Sequence, residues 1–206
     1  AARGNVKFFY ETNVGAGLPV INTLNDLLNS GDEVIKIEAV LSGTLSYIFN
    51  TFSPDKPFSA VVEEAKALGY TEPDPRDDLS GLDVARKLLI LAREMGTKLE
   101  LADIEIEPLY PNSCAMAASV DEFFAELRKE DKAFQERAEE AALCGRRLRY
   151  VAILESGRAK VSLQTVGPEH PFFSITGSDN IISFTTNRYH TCPLVVKGPG
   201  AGIEVT

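Results

Sequence analysis

Two periods of apolar and polar residues divide this chain into helices and strands. Residues 58–68 place apolar side chains at positions 58, 61, 62, 65 and 68, which is the spacing of one helix face, and Gly69 follows as a stop signal. A second series at positions 82, 85, 88, 89 and 92 ends at Gly96. Ser80 and Asp83 stand in the order of a capping box, so this series predicts a helix that begins at Ser80.

Three further segments are typical of helices. Residues 20–28 form a short apolar helix after a proline, and the apolar-aromatic run 45–49 can begin another. Ser119 and Glu122 open a region rich in Ala, Glu and Phe that continues to a stop at Gly145.

Strands are predicted where apolar residues alternate or form short runs rich in branched side chains. They cover residues 6–11, 35–41, 148–154, 159–166, 181–186 and 194–197. Ser156 and Gly157 separate two of these runs and predict a hairpin. Strands and helices alternate early and strands follow one another late, which predicts one α+β domain: a mixed, largely antiparallel sheet with helices packed on one face.

Composition narrows the classes of function. The net charge of −9 argues against nucleic acid as a partner, because phosphate recognition needs a basic surface. No apolar run is long enough to cross a membrane, so we expect no membrane partner. Three scattered cysteines and two histidines fit neither a disulfide framework nor a zinc site, and they favour a reducing, cytoplasmic location.

Residues 69–87 contain the candidate chemistry. Pro73 and Pro75 restrict an acidic segment that precedes Lys87, and we expect its carboxylates to converge on that amine; they belong to Glu72, Asp74, Asp77, Asp78 and Asp83. Such a group suits a small cationic solute and a proton transfer. The alternative is that Asp83 and Lys87 form an ordinary salt bridge between successive turns on a helix surface.

Two other segments offer ligand groups. Glu11 precedes a glycine-rich turn whose carbonyl oxygens suit a hard cation, although a tight turn without an ion explains the same residues. Ser42 and Thr44 follow a strand and either contact a ligand or cap a helix. The chain contains no GxGxxG fingerprint of a dinucleotide fold.

Four segments resemble homoserine dehydrogenase, in particular the form fused behind an aspartokinase domain: residues 10–20, 41–49, 69–87 and 200–202. The segment 69–87 is the most specific of them. The resemblance implies an oxidoreductase that interconverts L-homoserine and L-aspartate 4-semialdehyde with NADP or NAD. This reaction lies in the biosynthesis of threonine, isoleucine and methionine.

The resemblance also assigns roles to residues of this chain. Lys87 is similar to the lysine that transfers a proton at the substrate oxygen. The residues expected to bind homoserine are Glu72, Asp78, Asp83 and Thr44. Gly69 and Gly202 are expected to contact the cofactor through their backbone. The sodium ion of the family would be held by Glu11 with the carbonyls of Val14, Ala16 and Leu18.

By the same resemblance, residues 1–206 are the substrate-binding and dimerisation domain of a homodimer or a higher homo-oligomer. The Rossmann half of the family, with a second active-site lysine, would lie before Ala1, so we expect the fragment to have little activity alone. Two alternatives remain open at this point. One is a metal-assisted hydrolase or lyase that uses the carboxylates of Glu72 and Asp83, and the other is a non-catalytic dimerisation or amino-acid-sensing module.

Overall fold

A computed structural model describes residues 8–200 of the chain. Its strands are β1 (Val34–Val40), β2 (Glu105–Ile106), β3 (Arg147–Glu155), β4 (Arg158–Val166), β5 (Asp179–Thr186) and β6 (Leu194–Pro199). Its helices are α1 (Val20–Asn29), α2 (Gly43–Thr51), α3 (Phe58–Ala67), α4 (Pro75–Leu79), α5 (Leu82–Glu94), α6 (Asn112–Ala115), α7 (Val120–Leu127) and α8 (Asp131–Leu143). Short 3₁₀ turns cover Glu11–Asn13, Leu101–Asp103 and Arg128–Glu130.

All six strands belong to one sheet in the order β2-β4-β3-β1-β5-β6. The pairs that include β1, β3, β5 and β6 are antiparallel, and β2 lies parallel to β4 at the edge. The sheet is therefore mixed and largely antiparallel, which confirms the fold class expected from the sequence.

The two faces of the sheet are covered differently, because successive side chains along a strand point to opposite faces. Ile37 of β1 and Phe184 of β5 lie opposite each other and join the main core with the helices. Val40 and Ile181 lie opposite each other and belong to a smaller cluster that Phe172 and Ile175 close. The helices thus pack on one face, and a connecting segment covers part of the other.

The β3–β4 hairpin confirms the turn expected at Ser156 and Gly157. Both residues have positive φ, 52° and 74°, as a two-residue turn between right-twisted strands requires. The ladder continues from this turn to the pair Arg147–Val166, so both strands extend beyond the predicted ranges. Ladder hydrogen bonds, rather than the apolar pattern, set these ends.

The strand expected over residues 6–11 is wrong in its described part. Phe8, Phe9 and Tyr10 have no regular structure, and Glu11 begins a 3₁₀ turn. Phe8 and Phe9 are exposed, and no neighbouring strand among residues 8–200 pairs with this segment. An apolar run without a ladder partner does not form a strand. Val6 and Lys7 lie outside the described residues.

The start of α5 also differs from the prediction. Its N-cap is Gly81, in the left-handed conformation with φ of 73°, and Asp83 does not close a capping box. Ser80 instead accepts a hydrogen bond from Leu82 N at 3.2 Å. A Cβ on Gly81 would lie 2.0 Å from the hydroxyl of Tyr150, so packing against β3 requires glycine here and moves the helix start.

The helical region opened by Ser119 is confirmed at its start and divided further on. Ser119 Oγ accepts from Glu122 N at 3.2 Å, as an N-cap does. The single predicted region consists of α7, a 3₁₀ turn and α8. Among residues 8–200, no helix has both the length and the apolar character needed to cross a bilayer.

Candidate active site

Lys87 lies on α5 with its amine held between two acceptors. Its Nζ atom is 2.7 Å from Asp83 Oδ2, one helical turn earlier, and donates to the carbonyl oxygen of Leu41 at 3.0 Å. The Lys87 side chain is 24% exposed, whereas that of Asp83 is 61% exposed. The pair therefore has the spacing of an ordinary helix salt bridge, but the contact with Leu41 turns the amine toward the end of β1.

The lysine cavity, as we call it, has a volume of about 440 Å³ and is lined by Lys87 together with Thr44, Gly69, Tyr70 and Asn180. Thr44 comes from the first turn of α2, and its hydroxyl donates to Tyr70 O at 2.6 Å. The neighbouring Ser42 caps α2, accepting from Leu45 N at 3.2 Å. The helix cap expected at residues 42–44 is therefore formed by Ser42, and a ligand contact of Thr44 stays a prediction.

The acidic cavity, of about 360 Å³, lies next to the lysine cavity and is lined by four carboxylates and one cation, Arg86; the carboxylates belong to Glu72, Asp77, Asp78 and Asp83. The bond between Lys87 and Asp83 joins the walls of the two cavities. Only Asp83, of the five carboxylates expected at Lys87, forms an ion pair with it among the described residues. Glu72, Asp77 and Asp78 form a separate negative wall beside the amine.

Asp74 is a correction to the predicted cluster. It is the N-cap of α4, where its Oδ1 accepts from Arg76 N at 3.0 Å, and its Oδ2 lies 2.6 Å from the Arg76 guanidinium. Pro75 occupies the first helical position, where a missing N–H has no cost. The acidic segment is thus partly helical, and the Arg76 partner holds the pKa of Asp74 below its ordinary value.

Asp78 is a carboxylate of the acidic cavity whose ionisation is affected by burial. Burial raises its pKa above the ordinary value, and the nearby charges of Glu72 and Asp77 add to this effect. Its Oδ2 accepts a backbone hydrogen bond from Glu72 N at 2.8 Å, which favours the charged form but does not reverse the shift. A cation bound in the acidic cavity would relieve this destabilisation of the charged carboxylate.

Gly69 has a clear local role at the end of α3. Its φ is +76°, and the next residue, Tyr70, donates its N–H to Ala65 O at 2.9 Å, which closes the helix end. A Cβ on Gly69 would meet no atom within 4 Å. Gly69 therefore has open space beside its Cα, and it is also a lining residue of the lysine cavity. Gly202 lies outside the described residues.

Glu11 uses its carboxylate to cap α1 from a distance in sequence. Oε1 accepts from Ile21 N at 2.7 Å and Oε2 accepts from Asn22 N at 2.8 Å. Two orphan N–H groups at the helix start are thereby satisfied, next to the positive end of the helix dipole. This is a structural role for Glu11 that the sequence pattern did not indicate.

The turn after Glu11 combines close packing with oxygen donors. Gly15 has φ of +75°, and a Cβ there would lie 2.7 Å from Val20 Cγ2, so glycine is required whether or not an ion binds. Val14 is buried, and the Leu18 carbonyl accepts from Val20 N at 2.8 Å. Ala16 has φ of 47° and lines the lysine cavity. The expected ligands, one carboxylate and three carbonyls, are all oxygen donors, which is the type that a hard cation such as sodium prefers.

Clusters for a transition metal are absent from residues 8–200, where no three His, Cys, Asp or Glu side chains could hold a metal ion together. The metal-assisted hydrolase or lyase therefore has no supporting arrangement in the described part of the chain.

Cys114 is buried, and burial raises the pKa of its thiol, which makes it a poor nucleophile.

Asn180 is a candidate site residue that sequence reasoning missed. It stands at the start of β5, is 6% exposed and lines the lysine cavity. Its Oδ1 atom has no hydrogen-bond partner among residues 8–200. A buried acceptor without a partner costs about 1–3 kcal/mol and calls for an explanation. The only feature of the sequence that could have indicated Asn180 is a side-chain amide near the start of an apolar strand.

Comparisons with known proteins point to one family. A family model described as homoserine dehydrogenase matches residues 19–206. The chain is 52% identical over 201 residues to a chloroplastic bifunctional aspartokinase/homoserine dehydrogenase of Zea mays, covering 97% of this chain and 22% of the relative. It is 49% identical over 205 residues to a homoserine dehydrogenase of Schizosaccharomyces pombe, covering 96% of this chain and 54% of that protein.

A solved structure has the same fold. A hyperthermophilic archaeal homoserine dehydrogenase in complex with NADPH superposes with a TM-score of 0.72 at 26% identity, covering 100% of this chain and 54% of the other. The chain thus spans between about a fifth and about half of the length of the proteins that it matches.

Proposed function

Because this chain belongs to the homoserine dehydrogenase family, we propose that it forms the substrate-binding part of an enzyme that interconverts L-homoserine and L-aspartate 4-semialdehyde with NADP or NAD. One observation carries the proposal: the Lys87 amine lies where a negative wall of carboxylates meets a second, open cavity. That arrangement suits a substrate with an ammonium group at one end and a reacting oxygen at the other.

The acidic cavity would hold the substrate ammonium. Glu72, Asp78 and Asp83 present carboxylates on one wall, and hydrogen bonds between charged groups are roughly twice as strong as neutral ones. Binding a cation there also offsets the unfavourable burial of the Asp78 charge. The wall therefore favours an amino-acid substrate over an aldehyde or an alcohol without an amine.

Lys87 would move the proton at the reacting oxygen. An ammonium has three N–H donors, and Asp83 and Leu41 take two of them, which leaves one for a substrate oxygen. In the reduction, this N–H donates its proton to the oxygen that was the aldehyde carbonyl. In the oxidation, the neutral amine accepts the proton of the homoserine hydroxyl.

The lysine cavity would receive the cofactor beside the amine. When bound, the nicotinamide accepts or supplies the hydride, which is chemistry that no side chain of this chain provides. NADPH in the related archaeal structure supports this choice of cofactor class. Gly69 leaves open space for a backbone approach, and Asn180 offers an acceptor for an N–H group. Thr44 lines the same cavity and would contact the substrate there. Gly202 stays a predicted cofactor contact.

A sodium ion at the turn after Glu11 is part of the proposal. Glu11 and the carbonyls of Val14, Ala16 and Leu18 would hold it, and its charge would reinforce the turn that forms one wall of the lysine cavity. Glu11 already caps α1, so the same carboxylate would serve both the helix and the ion.

The domain assignment, oligomeric state and compartment complete the proposal. Residues 1–206 would act together with a separate nucleotide-binding domain, and copies would associate as a homodimer or a higher homo-oligomer through this domain. The free thiols of Cys114, Cys144 and Cys192 are compatible with the reducing cytoplasm. The chloroplastic maize relative indicates a second compartment in which the same chemistry is used.

The test is an assay of the full-length protein with NADPH and L-aspartate 4-semialdehyde, in parallel with NADH. We expect cofactor oxidation that depends on the semialdehyde and yields homoserine, identified by mass spectrometry. Oxidation without the semialdehyde, or none at all in a folded protein, would reject the proposed reaction. Residues 1–206 alone should be nearly inactive, and robust turnover by that piece would overturn the domain assignment.

A further inference from the structure

A second charged cavity lies at the other end of α2 from the candidate active site. This arginine cavity, of about 340 Å³, is lined by Arg146, Arg147 and Arg149 together with Ser53, just beyond the end of α2, and residues of α8. Its lining, all of it within the described residues, includes no Asp or Glu. The lining of this cavity therefore carries positive charge in a chain whose net charge is −9.

Arg149 supplies a buried positive charge to this cavity. It is only 2% exposed, and its five N–H groups point to backbone carbonyls, those of Phe49, Leu148 and Phe172 at 2.9 to 3.0 Å and those of Phe173 and Ile175 at 3.3 and 3.5 Å. Carbonyl dipoles satisfy its donors, but no carboxylate of residues 8–200 pairs with it.

The charge on Arg149 persists at neutral pH. Burial lowers its pKa to about 10, and the neighbouring charge of Arg147 acts in the same direction. Since this value is well above 7, the guanidinium stays protonated. Its field extends into the cavity with little screening, because buried charges interact more strongly than charges in water.

Arg146 and Arg147 line the cavity and retain N–H donors that no residue of the described range uses. Both are exposed. Arg147 donates one N–H to Phe173 O at 3.2 Å and lies over the Phe173 ring at 4.5 Å, which fixes its position. Arg146 forms no side-chain hydrogen bond or ion pair with another residue of the described range. Two guanidinium groups next to each other in sequence therefore have donors available for a ligand.

We propose that the arginine cavity binds a small anion with two negatively charged oxygen groups, as phosphates and dicarboxylates have. A guanidinium matches two such oxygens with two parallel N–H bonds. Arg146 and Arg147 donate these bonds, and Arg149 contributes charge alone. The volume lies within the roughly 300–1,000 Å³ of small-molecule sites.

This site is separate from the proposed catalytic one. Thr44, in the first turn of α2, lines the lysine cavity, whereas Phe49 and Ser53, at or beyond the last turn, line the arginine cavity. A helix of nine residues spans about 13 Å at 1.5 Å per residue. The two charged cavities thus select opposite charges at opposite ends of one helix.

Isothermal titration calorimetry on the full-length protein tests the proposal, with inorganic phosphate and succinate as probes and chloride at matched ionic strength as reference. We expect saturable binding of phosphate, of succinate or of both, and the stronger of the two identifies the class of anion. The double variant Arg146→Gln/Arg147→Gln should bind at least about tenfold more weakly, since each charge-assisted bond contributes more than a neutral one.

Arg158→Gln is the matched control, because Arg158 is an exposed arginine in the β3–β4 hairpin and outside the cavity lining. It should bind the probe within a factor of about two of the wild type. Both variants alter exposed side chains, so circular dichroism and thermal melting should show an intact fold. The proposal is overturned by an absence of saturable binding for both probes, or by equal weakening in the double variant and in Arg158→Gln.

Discussion

Replacing Lys87 by methionine separates the proposed proton transfer from a structural role of the same side chain. Methionine keeps most of the apolar stem and removes the amine. The lost ion pair involves Asp83, whose side chain is 61% exposed, so its contribution to stability is at most about 1 kcal/mol. The lost hydrogen bond to Leu41 O contributes about 1 kcal/mol more. The free energy of unfolding should therefore fall by about 1–2 kcal/mol.

The effect on turnover should be much larger. A positioned general acid or base accelerates a proton transfer by about 10²–10⁴-fold. At about 1.36 kcal/mol for each factor of ten, this corresponds to a barrier higher by about 3–5 kcal/mol. Because the expected loss of stability leaves most of the protein folded, it cannot account for such a fall in kcat.

The measurement combines steady-state NADPH oxidation with urea denaturation for the full-length protein. Lys132→Met is the matched control, since Lys132 and Glu136 form a pair with the same helical spacing, 3.6 Å apart, on the surface of α8. That control should retain wild-type kcat. If Lys87→Met keeps kcat within a factor of about three while it remains folded, the amine does not transfer the proton.

Three other substitutions test the fold and the site. Gly81→Ala should lower the free energy of unfolding by about 3 kcal/mol, because the new Cβ would lie 2.0 Å from the Tyr150 hydroxyl and residue 81 has a positive φ. The control Gly96→Ala has a similar φ but open space around the new Cβ, so it should lower that free energy by only about 1 kcal/mol in the same urea titration. Glu11→Gln should destabilise the protein by about 1–2 kcal/mol, because the charged cap of α1 is lost. If sodium chloride still stabilises this variant more than choline chloride does, the proposed ion site is contradicted. For Asp78→Asn the sign follows from the raised pKa, because the buried charge lowers the stability of the wild type as pH rises from the ordinary pKa through the raised one. In urea titrations, the free energy of unfolding of the variant should therefore rise relative to that of the wild type above this pH window and not below it. The KM of the variant for the amino substrate should rise about tenfold. An equal gain at all pH values would reject that cause.

Much of the fold was predictable because local patterns and tertiary packing agree. The helix series at positions 58–68 became α3, and Gly69 ended it as expected. The hairpin at Ser156 and Gly157 followed from turn chemistry alone. These elements bury a continuous apolar stripe or face, so the burial that stabilises them is visible in sequence spacing.

The remaining features depend on contacts between distant residues. The two-residue strand β2 exists only because it pairs with β4. Helix α4 is too short for a periodic signal, and Asp74 was predicted as a site acid although Arg76, two residues later, occupies it. Asn180 reaches the wall beside Lys87 only because β5 pairs with β1. The spacing of residues along the chain contains no information about contacts between such distant residues.

The position of the Lys87 amine is itself a result of such a contact. Helix α5 begins after Gly81, whose missing side chain admits the ring of Tyr150 from β3. The Tyr150 hydroxyl donates to Glu107 O at 2.8 Å, which fixes the position of the ring. Burial raises the pKa of this hydroxyl, so it keeps the proton that it donates. The start of α5 is thereby anchored to the centre of the sheet, and Lys87 follows fewer than two turns later. The register of β3, rather than the acidic segment alone, therefore sets the distance between the amine and the end of β1.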